Sequence, residues 1–140
     1  MRLVLDTDVM VAAIRSDTGA SQRLLVAAFE QRYRLLVSTP LIIEYQAVMT
    51  RSQHLKASRL TADEVTKLLD AVATVSTPVK LEFLWRPALR DPDDDMVLET
   101  AVNGAAELLV TFNRGDFAVG AERFELEVVS PGAALQRIGG

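Results

Sequence analysis

Short apolar runs alternate with longer stretches of helical spacing along this chain. The runs lie at residues 2–5, 35–37, 75–79, 108–110 and 127–130. Apolar runs of this length, bounded by polar residues, are typical of buried strands, although Pro78 predicts that the third is a short or irregular edge strand. Because strands and helices alternate, and the strands are apolar on both faces, we predict a three-layer α/β/α sandwich around a central parallel sheet.

Capping residues predict where several helices begin and end. Thr39 is expected to cap a helix that has Pro40 at its first position and runs to about residue 51. Thr61 and Glu64 have the spacing of a capping box, which predicts a helix from residue 62. The acidic run at 91–95 is expected to form a turn, from which a helix begins at Asp95 and ends at Gly104.

Length and composition limit the class of protein. The 140 residues fit one domain, which we expect to span residues 1–140. The absence of cysteine excludes a disulfide framework and a thiolate zinc site, and a single histidine excludes a multi-histidine metal site. Apolar runs are too short to cross a membrane, and an acid at position 6 is too early for a signal peptide, so we expect a cytoplasmic protein with no membrane partner.

Polar side chains gather at one edge of the predicted sheet. In open parallel sheets, ligands bind outside the carboxyl ends of the strands. The polar side chains that follow those ends, or lie near the start of helices beside them, are Asp6, Asp8, Ser38, Glu44, Asp95, Thr111, Asn113 and Asp116. These residues come from separate stretches of chain, and we expect them to converge on one rim.

Carboxylates that converge in this way repel each other. Two unpaired carboxylates about 4 Å apart cost roughly 4 kcal/mol at an effective dielectric near 20. Oxygen ligands without histidine or cysteine favour Mg²⁺ or Mn²⁺, the ions of phosphate chemistry. Phosphodiester hydrolysis by metal-activated water is therefore the predicted reaction. Each acid taken singly is also explained by a helix cap or a solvated turn, and this interpretation is favoured for Asp91, Asp93 and Asp94.

Four segments resemble the motifs of one known family, in the same order. They are residues 3–9 (LVLDTDV), 38–44 (STPLIIE), 90–98 (RDPDDDMVL) and 109–117 (LVTFNRGDF). Together they resemble the motifs of PIN-domain proteins, and in particular the VapC-like bacterial branch of toxin components of toxin–antitoxin pairs. The resemblance covers nearly the whole chain and implies a metal-dependent endoribonuclease.

The resemblance also implies which acids form the site. Its acidic quartet would be Asp6, Glu44, Asp95 and Asp116. Asp95 is preferred to Asp94 because it lies sixteen residues before Thr111, the separation that the motifs lead us to expect.

Further residues would support the quartet. Ser38, Thr111 and Asn113 would orient a ligand or water, although Asn113 and Asp116 could exchange roles. Asp8 stands where the motif usually has Asn, and its extra charge could strengthen metal binding or raise a pKa.

The same resemblance implies partners. The substrate would be single-stranded or loop RNA, a small antitoxin would hold the enzyme inactive by reaching into the acidic site, and the chain would form a homodimer. The formal net charge of −4 gives no general attraction to RNA, so a metal ion or local arginines must supply positive charge.

Several basic residues are candidates for that charge. Arg90 and Arg114 flank the acidic rim, where they could bind RNA phosphates or form salt bridges with neighbouring acids. A second basic stretch follows the Glu44 helix, and a solvated loop is favoured there over an RNA-binding wall. Its members are Arg51, His54, Lys56 and Arg59.

Two other functions share this predicted architecture. A receiver-type phospho-acceptor domain also has an acidic Mg²⁺ pocket, but it needs a lysine at the end of its last strand, where this chain has Val129 and Ser130. A non-catalytic interaction module on the same fold would show no dependence on metal.

Overall fold

The computed structural model describes residues 1–16, 19–82 and 92–139. Its strands are β1 Arg2–Leu5, β2 Arg34–Val37, β3 Thr77–Pro78, β4 Leu108–Val110 and β5 Glu127–Val129. Its helices are α1 Thr7–Arg15, α2 Ala20–Phe29, α3 Thr39–Met49, α4 Ser52–Ser58, α5 Ala62–Val75, α6 Pro92–Asn103, α7 Arg114–Phe124 and α8 Pro131–Arg137.

The strands form one parallel sheet in the order β3-β2-β1-β4-β5. All five predicted strands are present, and β3 is a two-residue edge strand, as Pro78 indicated. A receiver domain has the strand order 2-1-3-4-5. Because β2 lies between β1 and β3 here, the receiver alternative is excluded.

The central strands are covered on both faces. Leu3, Val4 and Leu5 of β1 are each fully buried, and consecutive side chains of a strand point to opposite faces of the sheet. Burial of all three therefore requires helices on both sides, and β2 and β4 show the same pattern. The predicted α/β/α sandwich is confirmed.

The helix starts are set by side-chain caps, with one correction. Ser38, not Thr39, caps α3: its backbone is extended, and its Oγ accepts a hydrogen bond from the Leu41 amide at 3.4 Å. The predicted capping box of α5 is confirmed, with Thr61 and Glu64 each accepting from the other's backbone amide. At 14 residues α5 is the longest helix of the described residues. None of these helices combines the length and the apolar character needed to cross a bilayer.

Two helices were not predicted. The helix through Glu44 ends at Met49 rather than near residue 51, and the polar stretch after it forms α4. No residue of α4 is buried, and α7 buries only part of one face, so neither has the apolar periodicity by which helices are recognised. Gly104 follows α6 as predicted, and a Cβ there would lie 2.7 Å from Leu36 Cδ1.

Candidate active site

A polar pocket of about 320 Å³ opens at the carboxyl edge of the sheet. Its lining residues are Asp6, Thr7, Asp8, Val11, Glu44, Val48, Arg51, His54, Asp94 and Asn113. Four of them are carboxylates, contributed by α1 with its cap, by α3 and by α6. The predicted convergence of distant acids is therefore present, but with a different membership.

Asp6 is held by the sheet and by two side-chain hydrogen bonds. Its backbone amide donates to the Val110 carbonyl at 2.8 Å, which fixes the residue at the end of β1 beside β4. Its Oδ1 accepts from the Thr7 amide at 2.7 Å and caps α1, while its Oδ2 accepts from Thr111 Oγ1 at 2.7 Å. Thr111 is fully buried, and its hydroxyl orients the Asp6 carboxylate. Its predicted part in orienting a ligand or water stays a prediction.

Asp8 is held by the loop that follows β4. Its Oδ2 accepts from the Phe112 amide at 3.1 Å and from Asn113 Nδ2 at 3.0 Å. Its Oδ1 is buried and makes no hydrogen bond among the described residues. A buried carboxylate oxygen without a donor is costly, so Asp8 has one acceptor available for a cation.

Burial raises the pKa of both aspartates, and the charge of Asp8 adds to the rise at Asp6. Burial, with the charge of Asp8 second, raises the pKa of Asp6 to about 7, against the hydrogen bonds from Thr111 and Thr7. The charge of Asp94 adds to that rise. Burial also raises the pKa of Asp8. The extra acid at position 8 thus raises a neighbouring pKa in the protein alone, which was one of its two expected effects.

Glu44 lies on α3, and the next residue fastens that helix to the sheet. Tyr45 is fully buried, and its hydroxyl donates to the carbonyl of Leu5, the residue before Asp6. This bond ties the helix that carries Glu44 to the strand end that carries Asp6. Sequence reasoning did not identify Tyr45; the available signal was a lone phenol in an otherwise apolar helical run, because a buried hydroxyl needs a partner.

Ser38 supports the site from outside the pocket. It does not line the pocket; it caps α3 and donates from Oγ to Thr100 Oγ1 at 2.7 Å, since the Thr100 hydroxyl donates to the Met96 carbonyl. The bond joins α3, which carries Glu44, to α6, which carries Asp94. Ser38 therefore positions two helices rather than a ligand.

The third acidic segment lies at the start of α6. This helix begins at Pro92, three residues before the predicted start at Asp95, so Asp94 lies in its first turn. Asp94 is among the described residues that line the pocket, whereas Asp95 is 1% exposed and is not among them. Successive helical residues point about 100° apart. The place of Asp95 in the acidic quartet stays a prediction, and Asp91 lies outside the described residues.

The loop after β4 and the start of α7 carry the two alternatives for the fourth site residue. Asn113 lines the pocket, whereas Asp116 is exposed in the first turn of α7 and does not line it. Arg114, the first residue of α7, is also exposed and outside the pocket lining. Arg90, its predicted counterpart, lies outside the described residues.

The basic stretch contributes more to the pocket than predicted. Arg51 and His54 line it, while Lys56 and Arg59 do not. Burial, with the charges of Arg15 and Arg51, lowers the pKa of His54. Glu44 and Val48 lie on one face of α3, because residues at i and i+4 are neighbours on a helix, and Arg51 and His54 continue this wall from the start of α4.

The carboxylate oxygens that line the pocket are suitable ligands for a hard cation, although they do not form a complete coordination site. In residues 1–16, 19–82 and 92–139, no three acidic or histidine side chains are grouped closely enough to hold a metal ion. The carboxylates lining the pocket nevertheless offer oxygen ligands, and Asp8 Oδ1 has no donor. The arrangement therefore fits an Mg²⁺-type ion that draws the acids together.

Comparison with known proteins identifies the family. A family model described as "PIN domain" matches residues 2–115. The fold is similar to that of a chain in the crystal structure of VapBC2 from Rickettsia felis bound to a DNA fragment from their promoter. That match has a TM-score of 0.61 and 15% sequence identity, and it covers 93% of this chain and 98% of the other. No curated protein gave a significant match. Since the family match spans most of the sequence, this chain belongs to the PIN domain family.

Proposed function

We propose that this protein is a metal-dependent endoribonuclease, which hydrolyses RNA phosphodiester bonds with a metal-activated water. The observation that carries the proposal is the pocket itself. Asp6, Asp8, Glu44 and Asp94 come from three separate segments and line one cavity. A fold keeps such a cluster of like charges when a positive ligand belongs among them.

Mg²⁺ or Mn²⁺ is the proposed ion, because the carboxylates are hard oxygen donors. Asp6, Asp8 and Asp94, with Glu44 beside them, would hold it. The unpartnered Asp8 Oδ1 and the raised pKa of Asp6 both support a bound cation at this point. When bound, the ion would lower the pKa of water and stabilise the charge that grows on the phosphate.

The residues around the acids would set their orientation. The Thr111 hydroxyl donates a hydrogen bond to Oδ2 of Asp6 and so orients this carboxylate. The Asn113 side-chain amide donates to Oδ2 of Asp8 and leaves Oδ1 of Asp8 without a donor. Each carboxylate thus keeps a defined rotamer and less freedom to lose when a ligand binds. Ser38 and Tyr45 would act indirectly, because their hydrogen bonds hold in place the helices that carry Glu44 and Asp94.

The direct experiment is a cleavage assay with purified protein. A fluorescent single-stranded RNA pool of random sequence is incubated with Mg²⁺, with Mn²⁺ or with EDTA. We expect cleavage with either ion and none with EDTA. Asp6→Asn should lower kcat by roughly 10³-fold, because it removes a charge at the reacting centre.

Asp70→Asn is the matched control for that variant. It makes the same chemical change on an exposed residue of α5, outside the described pocket lining. We expect its kcat to stay within about twofold of the unaltered protein, as surface changes away from a site have small effects. Full activity of Asp6→Asn, or cleavage that persists in EDTA, would contradict the proposal.

A place in a toxin–antitoxin pair is part of the same proposal. It is supported by family membership and by the fold shared with a chain of the VapBC2 complex. The chain would act in the cytoplasm on RNA, form a homodimer and be inhibited by a small antitoxin. Induced expression in a bacterium should arrest growth, and co-expression of the adjacent gene should restore it; unimpaired growth of cells that make active enzyme would contradict this role.

A non-catalytic PIN-like module is the second candidate. It is favoured by one observation, that the described acids do not already form a three-ligand group. The two candidates differ in their response to metal. A rise in melting temperature on adding Mn²⁺, lost in Asp6→Asn, supports the nuclease, whereas no shift together with no cleavage supports the module.

A further inference from the structure

The pocket is lined by opposite charges. Four carboxylates line it together with Arg51. In the part of the chain that the structure describes, Arg51 takes no part in the salt bridges Lys67–Asp63 and Arg137–Glu127 and forms none of its own. The guanidinium of Arg51 is therefore available to a ligand.

Among the described residues that line this pocket, Arg51 is the permanent cation. His54 is the other basic one, and burial together with nearby arginines favours its neutral form. Thr7, Val11, Val48 and Asn113 carry no charge. Within this described lining, Arg51 is therefore the side chain suited to attract an anion.

The position of Arg51 relative to the acids is set by helix α3. Glu44 and Val48 lie on that helix, and Arg51 follows its end as the N-cap residue of α4. Arg51 therefore lies beyond the end of the helix that carries Glu44, and both side chains line the pocket. A group bound at Arg51 is thus distinct from one bound by the cation among the acids.

We infer that Arg51 binds a backbone phosphate of the RNA strand next to the phosphate that is cleaved. This inference rests on the proposed nuclease function. A strand lying along the pocket would present its scissile phosphate to the acidic end and the neighbouring phosphate to the guanidinium, whose planar fork matches phosphate oxygens. The contact gives a protein of net charge −4 a local hold on a polyanion.

Steady-state kinetics on the random RNA pool, with Mn²⁺ and 50–200 mM NaCl, test this inference. A contact made equally before and during reaction changes KM rather than kcat. Arg51→Gln should therefore raise KM roughly tenfold with kcat within about twofold. The salt dependence of log KM should become shallower by about 0.7, the contribution of one phosphate on a single strand.

Two further variants separate a specific contact from general charge. Arg59→Gln makes the same change at the other end of α4, outside the pocket, and should leave KM and its salt dependence unchanged. Arg51→Lys keeps the charge but loses the fork, so it should keep the salt dependence while raising KM partially.

The outcomes distinguish the inference from the function on which it rests. Absence of cleavage by the unaltered protein would overturn both. Cleavage by the unaltered protein, with KM and salt dependence unchanged in Arg51→Gln, would overturn the inference alone. Equal losses in Arg51→Gln and Arg59→Gln would also overturn it, because they would indicate a diffuse electrostatic effect.

Discussion

The strand ends and the helix starts of the pocket differ in how firmly the sequence fixes their side chains. Asp6 and Thr111 directly follow β1 and β4, and neighbouring strands hold their backbones in register. Asp94 lies on α6, where its direction depends on the residue at which the helix begins. At a strand end, pairing with neighbouring strands fixes where a side chain lies. At a helix start, the direction of a side chain depends on the residue at which the helix begins.

That difference bears on Asp94 and Asp95, between which the sequence chose by their separation from Thr111 alone. The acids and hydroxyl at the strand ends lie where the sequence placed them. The start of α6 lies three residues before the predicted one, and the side chains of Asp94 and Asp95 point about 100° apart, with Asp94 in the pocket lining. We therefore expect substitutions at adjacent positions of α6 to differ strongly in their effect on activity.

Substitution of the two adjacent aspartates is the strongest test of helical phase. Asp94→Asn should lower kcat/KM by roughly 10²–10³-fold with little change in melting temperature, because it removes a charge that faces the pocket. Asp95→Asn should change kcat/KM less than tenfold per folded molecule, since Asp95 does not line the pocket. Cleavage kinetics and circular dichroism measure both, and a greater kinetic loss in Asp95→Asn would reverse our assignment.

The strand ends can be tested through the hydroxyl that joins them. Thr111→Val keeps the shape of the side chain but removes the donor to Asp6 Oδ2. Loss of a residue that orients a ligand typically costs 10–100-fold in activity or metal affinity, and we expect roughly that loss here. Mn²⁺ titration by calorimetry gives the affinity, and an unchanged value would show that β1 alone positions Asp6.

The buried aspartates should make stability fall as pH rises. The folded chain holds a proton on Asp6 up to about pH 7, whereas the unfolded chain loses it near the ordinary carboxyl pKa of about 4. Between these values the free energy of unfolding should decrease by roughly 1.4 kcal/mol per pH unit in the absence of metal. Asp6→Asn should remove this contribution and be the more stable protein at pH 8.

Urea denaturation at pH 5, 6, 7 and 8 measures that difference. Added Mn²⁺ should restore stability to the unaltered protein at pH 8, because a cation compensates the ionised pair. Parallel pH profiles for the two proteins would contradict the raised pKa of Asp6.

The smallest expected effect lies between α3 and α6. Ser38→Ala removes the cap of α3 and the hydrogen bond to Thr100. We expect a loss of about 1 kcal/mol in the free energy of unfolding. The loss of activity should be only a few-fold, since Ser38 does not line the pocket. A loss of activity as large as that of Thr111→Val would mean that Ser38 acts directly in the site.

The sequence predicts most of this fold because its strands carry strong local signals. Every strand was identified from a short apolar run, and the α5 boundary from a two-residue capping box. Helices α4 and α7 were missed because neither has a continuous apolar face. Local patterns do not encode tertiary contacts, so Arg51, His54 and Tyr45 gained their roles only when α1, α3 and α4 were packed together.

A crystal structure of the protein with Mn²⁺, using the anomalous signal of the metal, can show directly whether the pocket binds a cation. We expect one or more Mn²⁺ peaks in the pocket, within ligand distance of Asp6, Asp8 and Asp94. A fully ordered pocket without manganese at millimolar concentration, or manganese bound only at other surface acids, would contradict the claim that these distant carboxylates share a divalent cation.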